Sequence, residues 1–473
     1  MGMAPRTARP PSPLTLALAV PAALGLWAGT TAYASSAAQG ATNDVTARLE
    51  QVFRSTGLLT VKESSYEKGF LKSTHRMIVQ PIGAEDDPTT GWEVVNHIQH
   101  GPLAGGTLAR AVVDTEIRFL DPEIQAQLDK AVGGQKPRIH TVLGLTGSSV
   151  TDLNVPAGQV QSQQDGGQVT WQPLTGRVET GSQGRLTGYN LTWPGMQFTA
   201  GNAGGNALQV GQMTLNGNQS YSSADDLIGV GKSEFKVAQL ASTDALGQTA
   251  QLLNLTVGSE TTLADPEHYD ILTRYELGTL EVLDTPALGG LQLHLGMRHV
   301  ARQPLQDMSR MYEKIRQQAL TSSEGGVKFT PEQEREMEEV YSRSLLGLLQ
   351  AEPVLSLDKA GFTNPGSGLQ LSGQATFKGL AAALGEGGGS GPDNMTDLGN
   401  AMLLLPRYLQ AQLTMRTSPE TIEALNNMGG DSELNAADLV SSGTFRTEGN
   451  ELVADFGYQD GQITINGKTL PGY

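Results

Sequence analysis

Apolar and polar positions alternate with a period of two along much of this chain. The pattern runs through Val61 to Glu63, Met77 to Val79, Trp92 to Ile98 and Arg110 to Phe119. Alternation of this kind puts one side of a ribbon in a core and the other in water, so it predicts half-buried antiparallel strands. From residue 139 to 302 the expected order is strand, turn, strand. The turns fall at glycine-rich points: Asp165-Gly166-Gly167, Gly201 to Gly205 and Asn216-Gly217-Asn218. Leu208 to Met213, Ile228 to Gly231 and Tyr275 to Leu280 each join alternation to a central glycine, a weak echo of one β-meander unit.

Helical spacing replaces alternation in a few places. Val45, Leu49, Val52 and Phe53 predict a helix over residues 40–60 that Gly57 stops. Asp121 to Val132 has a capping aspartate, a proline at the first helical position and an end at Gly133-Gly134. A third helix starts near Leu305, with Met308, Met311, Tyr312, Ile315 and Ala319 on one face; such a methionine stripe reads first as core. A fourth begins at Thr330-Pro331, where Gln333 completes a capping box, and carries Met337, Val340, Tyr341, Leu345 and Leu348. With Ser322 to Gly326 as the link, these two predict an antiparallel hairpin. Strands return at Val354 to Leu357 and Leu369 to Phe377. Gly385 to Pro392 reads as a flexible loop, and Ser418-Pro419 opens a short helix. Thr444 to Phe445, Leu452 to Phe456 and Ile463 to Ile465 predict a closing sheet with an Asp460-Gly461 turn.

One segment obeys neither period. Leu14 to Ala34 contains no charge and follows Arg6 and Arg9. Its length suits a bilayer-spanning helix, and the basic flank places the N-terminus in the cytoplasm. The alternative is a cleaved signal peptide, since Ala32-Tyr33-Ala34 has a small-x-small pattern. The expected fold is α+β, mainly β. Residues 1–13 form a basic tail, 14–34 a signal anchor in the inner membrane, 35–302 a β-rich periplasmic region, 303–352 the helical hairpin and 353–473 a C-terminal α+β region.

Composition narrows the function. The chain of 473 residues has no cysteine, which removes disulfides, thiolate metal sites and cysteine nucleophiles. A net charge of -17 excludes a nucleic-acid partner. Each candidate for chemistry has a plainer explanation. His97 and His100 lie three apart on a strand and so face opposite ways; His294 and His299 are set aside by the same reasoning. Gly229-Val230-Gly231-Lys232-Ser233 resembles the end of a phosphate loop, but Asp226 replaces the first glycine and Phe235-Lys236-Val237 alternates like a strand. Asp86-Asp87 and Asp225-Asp226 sit beside turns and read as solvated charges. Asn190, Asn254 and Asn394 open glycosylation triplets that matter only in a glycosylating host. No G-x-S-x-G or H-E-x-x-H is present. No catalytic, cofactor-binding or metal residue is assigned.

Several short motifs occur in a telling order: Trp27-Ala28-Gly29, Tyr66-Glu67-Lys68-Gly69-Phe70 with Ser73, His97 to Pro102, Pro353 to Asp358, Gly368 to Gly373 and Tyr458 to Lys468. In these the chain resembles the YdgA-like family of bacterial inner-membrane proteins with a large periplasmic part. The resemblance covers both ends and leaves residues 150–290 without a motif. It implies a Gram-negative envelope setting and self-association in the membrane, and supplies no catalytic residues. The leading expectation is a non-enzymatic envelope protein that closes its sheet as core or opens it to a lipid or other apolar ligand. A protein-interaction or assembly component, self-dimer or envelope complex, stands second. A hydrolase with a dispersed triad stands third.

Overall fold

The computed structural model describes residues 59–81, 87–161, 166–181, 185–201, 206–222, 226–282, 287–321, 329–364, 367–387, 403–427 and 435–470. The apolar run at 14–34 lies outside the described residues, and so does the helix expected over 40–60 except for its last two residues, Leu59 and Thr60, which are strand and not helix. No helix among the described residues is long and apolar enough to cross a membrane. The described chain is mostly antiparallel strand and separates into two units, residues 1–218 with 237–250 and residues 219–236 with 251–473.

The first unit begins as a meander. Its strands are β1 (Leu59–Glu67), β2 (Lys72–Pro81), β3 (Trp92–His100), β4 (Ala111–Phe119), β5 (Arg138–Leu143) and β6 (Ser149–Val155), each antiparallel to the next. Alternation is clean: Met77, Val79, Val94, Ile98, Val113 and Leu143 are buried together. Between β4 and β5 lies α1 (Pro122–Ala131), whose N-cap Asp121 accepts from the backbone N–H of Glu123 and Ile124 as the sequence predicts.

Further strands run in pairs separated by two residues. β6 leads to β7 (Gly158–Gln161), β8 (Gln168–Trp171) to β9 (Leu174–Thr180), β10 (Leu186–Trp193) to β11 (Met196–Thr199), and β12 (Ala207–Val210) to β13 (Met213–Ser220). β6 pairs with β9 and β7 with β8; β9 pairs with β10 and β8 with β11; β10 pairs with β13 and β11 with β12. Each pair is therefore one long strand bent at its middle, and the bends stand in register. Three of the four contain a proline, Pro156, Pro173 and Pro194, which offers no ladder N–H. Tryptophans hold the line: Trp171 Nε1 donates to the Pro156 carbonyl at 3.0 Å, and Trp193 Nε1 to the Gln172 carbonyl at 3.2 Å. Both indoles are buried with Val155, Val160, Leu174 and Val178, under Ile124 and Leu128 of α1. Gly158 has no side chain because the Trp171 ring occupies that space.

One expected turn is corrected here. Asn216-Gly217-Asn218 lies inside β13, paired with Gly188 to Asn190. Gly217 serves the ring of Tyr189, which covers the spot a Cβ would fill. Packing across strands, not chain reversal, selects that glycine.

In the second unit the meander continues with longer strands. β15 (Thr249–Asp265), β16 (His268–Glu281), β17 (Leu288–Ala301), β18 (Val354–Asn364), β19 (Ser367–Phe377) and β20 (Leu409–Thr417) pair in sequence, counted after β14 (Val230–Thr243). β20 joins β22 (Glu451–Gln459), which takes β21 (Arg446–Glu448) and β23 (Gln462–Ile465). Asp460-Gly461 makes the predicted tight turn, both with positive φ. Thr444-Phe445 is not strand. β21 starts one residue later, and Phe445 packs into a cluster with Ile422, Leu452 and Ala454.

The helical hairpin is α2 (Arg302–Thr321) and α3 (Pro331–Gln350), inserted between β17 and β18. It is antiparallel: Lys314 pairs with Glu336, and Pro304 lies against Gly347. Thr330 and Gln333 form the expected capping box. The loop expected at Gly385 to Pro392 is in part helix, since α4 spans Leu380–Gly387; the rest lies outside the described residues. Glu352 Oε1 receives the N–H of Gly379 and of Ala381, and so closes the start of α4 with a carboxylate.

Candidate functional site

Alternation runs through most of β16 and β17, broken by Ile271-Leu272 and by a register shift between Tyr269 and Ile271, so each strand has a mainly apolar and a mainly polar side. Ile271, Tyr275 and Leu277 share one side of β16, and Leu291, Leu293, Leu295 and Met297 share one side of β17. Register carries the same side onward. Tyr275 faces Leu293, Met297 faces Leu355, Leu295 faces Leu357, Leu371 faces Met415, Leu413 faces Phe456, and Tyr458 faces Ile463. One face of the second unit is thus apolar from β16 to β23. Near β22 it is covered by α5 (Pro419–Asn427) and α6 (Ala436–Ser441), through Ile422 and Leu439. Toward β16–β18 it is open: Tyr275, Leu293, Leu295, Met297 and Leu355 are 37–44% exposed. The reverse face is polar. His294 Nε2 lies 2.9 Å from Glu276 Oε1, and Arg298 donates to Asp358 at 3.0 Å. Gln374, Gln410 and Gln412 line a groove of about 310 Å³ there.

Beside the start of α2 lies a cleft of about 610 Å³ lined by Asp226, Glu267, His268, Arg302, Gln306 and Arg310 among others. Its floor is a buried polar knot. Arg302 Nη2 donates to both oxygens of Asp226, at 2.7 and 2.6 Å, and Gln306 Nε2 donates to Asp226 at 2.8 Å and to the Tyr269 hydroxyl at 3.3 Å. The Asp226 hydrogen bonds raise the Arg302 pKa above its ordinary value. Asp226 is 3% exposed. For Asp226 this corrects the reading as solvated charge, while Asp225 lies outside the described residues: the partner of Asp226 is seventy-six positions away, out of reach of local pattern.

At the rim of this cleft, donor groups of Asp265, His268 and His299 lie within 4.8 Å of one another. His268 Nδ1 is 2.9 Å from each Asp265 oxygen. The N–H of Glu267 first, and His268 after it, hold the Asp265 carboxyl below its usual pKa. His299 has φ +58, and its N–H donates to Asp270 at 2.9 Å. The donor types suit an imidazole-preferring divalent ion. Yet the two imidazoles stack, with centroids 3.7 Å apart and planes 13° from parallel. Lone pairs of stacked rings run side by side and do not converge, so a metal would need both rings turned. As it stands the trio clamps the β15–β16 turn to the end of β17. Sequence spacing separates His294 from His299, as the structure does; the partner it omits is His268, on another strand.

His97 is exposed, while His100 Nε2 meets Ser73 Oγ at 2.8 Å. Ser64 Oγ meets His75 Nε2 at the same distance. A serine nucleophile needs a base that a third group orients. His100 contacts no carboxylate among the described residues, and its bond with buried Ser73 latches β3 to β2. Burial of His75 pushes its pKa down to about 4, which leaves it neutral. Gly229 to Ser233 enters β14, not a helix, and Lys232 pairs with Glu260 at 2.8 Å. Asp87 is a turn acid, bonded to Thr89 and Thr90.

No curated protein matches the chain. The apolar-faced meander, the bent strands and the inserted hairpin together occupy the span that a family model covers, residues 13–472, and the chain belongs to that family, described as a bacterial protein of unknown function (DUF945).

Proposed function

We propose that the protein is a non-enzymatic component of the bacterial envelope with a YdgA-like setting. Residues 14–34 anchor it in the inner membrane with its bulk in the periplasm, and the open apolar face of the second unit receives a lipid chain or similar apolar ligand. The supporting observation is the exposure of Tyr275, Leu293, Leu295, Met297 and Leu355 on adjacent strands. Contiguous apolar surface of this kind on a folded protein marks a contact site. Flexible Met297 and the parallel leucine rows suit a long, featureless ligand better than a shaped polar one. The test is uptake: delipidated protein takes labelled phospholipid from donor vesicles, and Leu295→Gln with Met297→Gln lowers uptake several-fold. Absence of uptake by the parent protein overturns the reading.

The helical hairpin favours a second reading, an assembly component. Tyr312 and Tyr341 are 60% and 42% exposed, and tyrosine is enriched where proteins meet. Photocrosslinking in membranes separates the two. Lipid adducts on β17 support carriage; a self-dimer or a second protein on α2 or α3 supports assembly.

A further inference from the structure

Three hairpin tips at one end of the first unit present apolar side chains where turns ordinarily carry polar ones. β1–β2, β3–β4 and β5–β6 all turn at this end. Phe70 is 95% exposed, Leu103 73%, Leu108 66%, Leu71 62% and Leu145 58%. The core behind them does not need these residues. In the β3–β4 loop, Ala104 and Ala109 point inward, are buried and pack with Val112, while the flanking leucines point out. The loop is folded, not loose: Gly106 N–H donates to Leu103, Thr107 to Ala104 and Ala109 to Pro102. Neighbouring tips are tied to it, through His100 N–H to the Leu71 carbonyl and Arg110 N–H to the Leu143 carbonyl, each 2.8 Å. Five large apolar groups are therefore held outward on one rigid rim.

Charge identifies what meets them. Lys68 and Arg110 are exposed on these loops and Lys72 at the first position of β2, against the single anion Glu67 at the end of β1, in a chain of net charge -17. None of the three cations makes an ion pair among the described residues. Apolar tips ringed by unpaired cations fit a surface that is greasy within and anionic at its boundary. We propose that this rim docks on an anionic lipid bilayer, with Phe70, Leu103, Leu108 and Leu145 entering the interface and the cations at the headgroups. The site is distinct from the apolar sheet face and does not depend on it. It shares the envelope setting of the proposed function.

The absence of cysteine makes the test direct. Single variants Phe70→Cys, Leu103→Cys and Leu145→Cys of the full chain are labelled with an environment-sensitive fluorophore and reconstituted in phosphatidylethanolamine–phosphatidylglycerol vesicles. The control is Leu246→Cys, an 83% exposed leucine in the β14–β15 turn at the opposite end of the same unit. Brominated lipids are expected to quench the rim labels about three-fold or more beyond the control. Lys68→Gln with Lys72→Gln is expected to weaken the phosphatidylglycerol-dependent part of that quenching by about an order of magnitude. Rim labels quenched no more than the control overturn the proposal. So does a blue shift without lipid quenching, which places the rim against protein. Flotation of the chain with vesicles reports the anchor separately, so failure of the rim and failure of the anchor give different results.

Discussion

His75 and Asp226 show how much a single buried polar group decides here. The folded-state pKa of His75, about 4, lies below its ordinary 6.5. Between those values the unfolded chain takes up a proton that the folded chain refuses, so stability is full above pH 6.5 and falls as the pH drops toward 4. The loss amounts to about 3 kcal/mol at most. Urea midpoints measured from neutral pH down to about 4 will show this slope, and His75→Gln will flatten it even if overall stability drops. Arg302 carries a different expectation. Arg302→Met leaves the Asp226 carboxylate buried beside Gln306 without its cation, at a cost of about 3–5 kcal/mol. Asp226→Asn added to Arg302→Met recovers part of that loss in the same urea assay. Neither residue is legible locally. Asp226 sits in a run that looks like any acidic turn, and its burial depends on where β17 ends. His299 likewise takes its meaning from His268 and Asp265, which only the β16–β17 register brings near.

Elements were more readable than sites, because caps and periods are local. Asp121, Pro122 and the Thr330–Gln333 box announce α1 and α3 several residues ahead of their apolar faces. Thr330→Ala should lower the stability of the hairpin by about 1 kcal/mol, seen as a lower melting midpoint in helical circular dichroism with the sheet signal unchanged. β20 is absent from the sequence expectation although Leu409, Leu413 and Met415 alternate with polar residues; Ala411, small and weakly apolar, blurs the contrast. The bends are harder to see. Pro156, Pro173 and Pro194 are visible one at a time, but their alignment is a statement about register between strands, and so is the indole bond from each following tryptophan. Gly217 misleads for the same reason: glycine opposite an aromatic ring and glycine in a turn look alike in one dimension.

At the scale of the molecule, alternation predicts the predominance of antiparallel strand, and the family match spans it nearly end to end. Which apolar side is covered is not in the pattern. The residues on the face of Tyr275 and Leu295 follow the same kind of pattern as those in the core of β2 to β5, yet Met77, Val79, Val94 and Val113 are buried while Tyr275 and Leu295 are 44% and 43% exposed. Location is open to a direct check. A reporter that works only outside the cytoplasm, fused after Tyr473, is expected to be active, while one that needs the cytoplasm is expected to be silent. The reverse outcome removes the envelope reading as a whole.

Nearest-neighbour pairing has one more consequence. Among the described residues most strands pair with the next in the chain, and β6 with β9, β8 with β11 and β10 with β13 reach past one intervening hairpin, so few contacts wait for a distant segment to arrive. Such a polypeptide can assemble stepwise in the order it emerges, each hairpin templating the next, with little loop-closure entropy opposing any single addition. Threaded through a narrow pore as an extended strand, it would reach the far side ready to zip from its leading end, with no thiol to oxidise on the way.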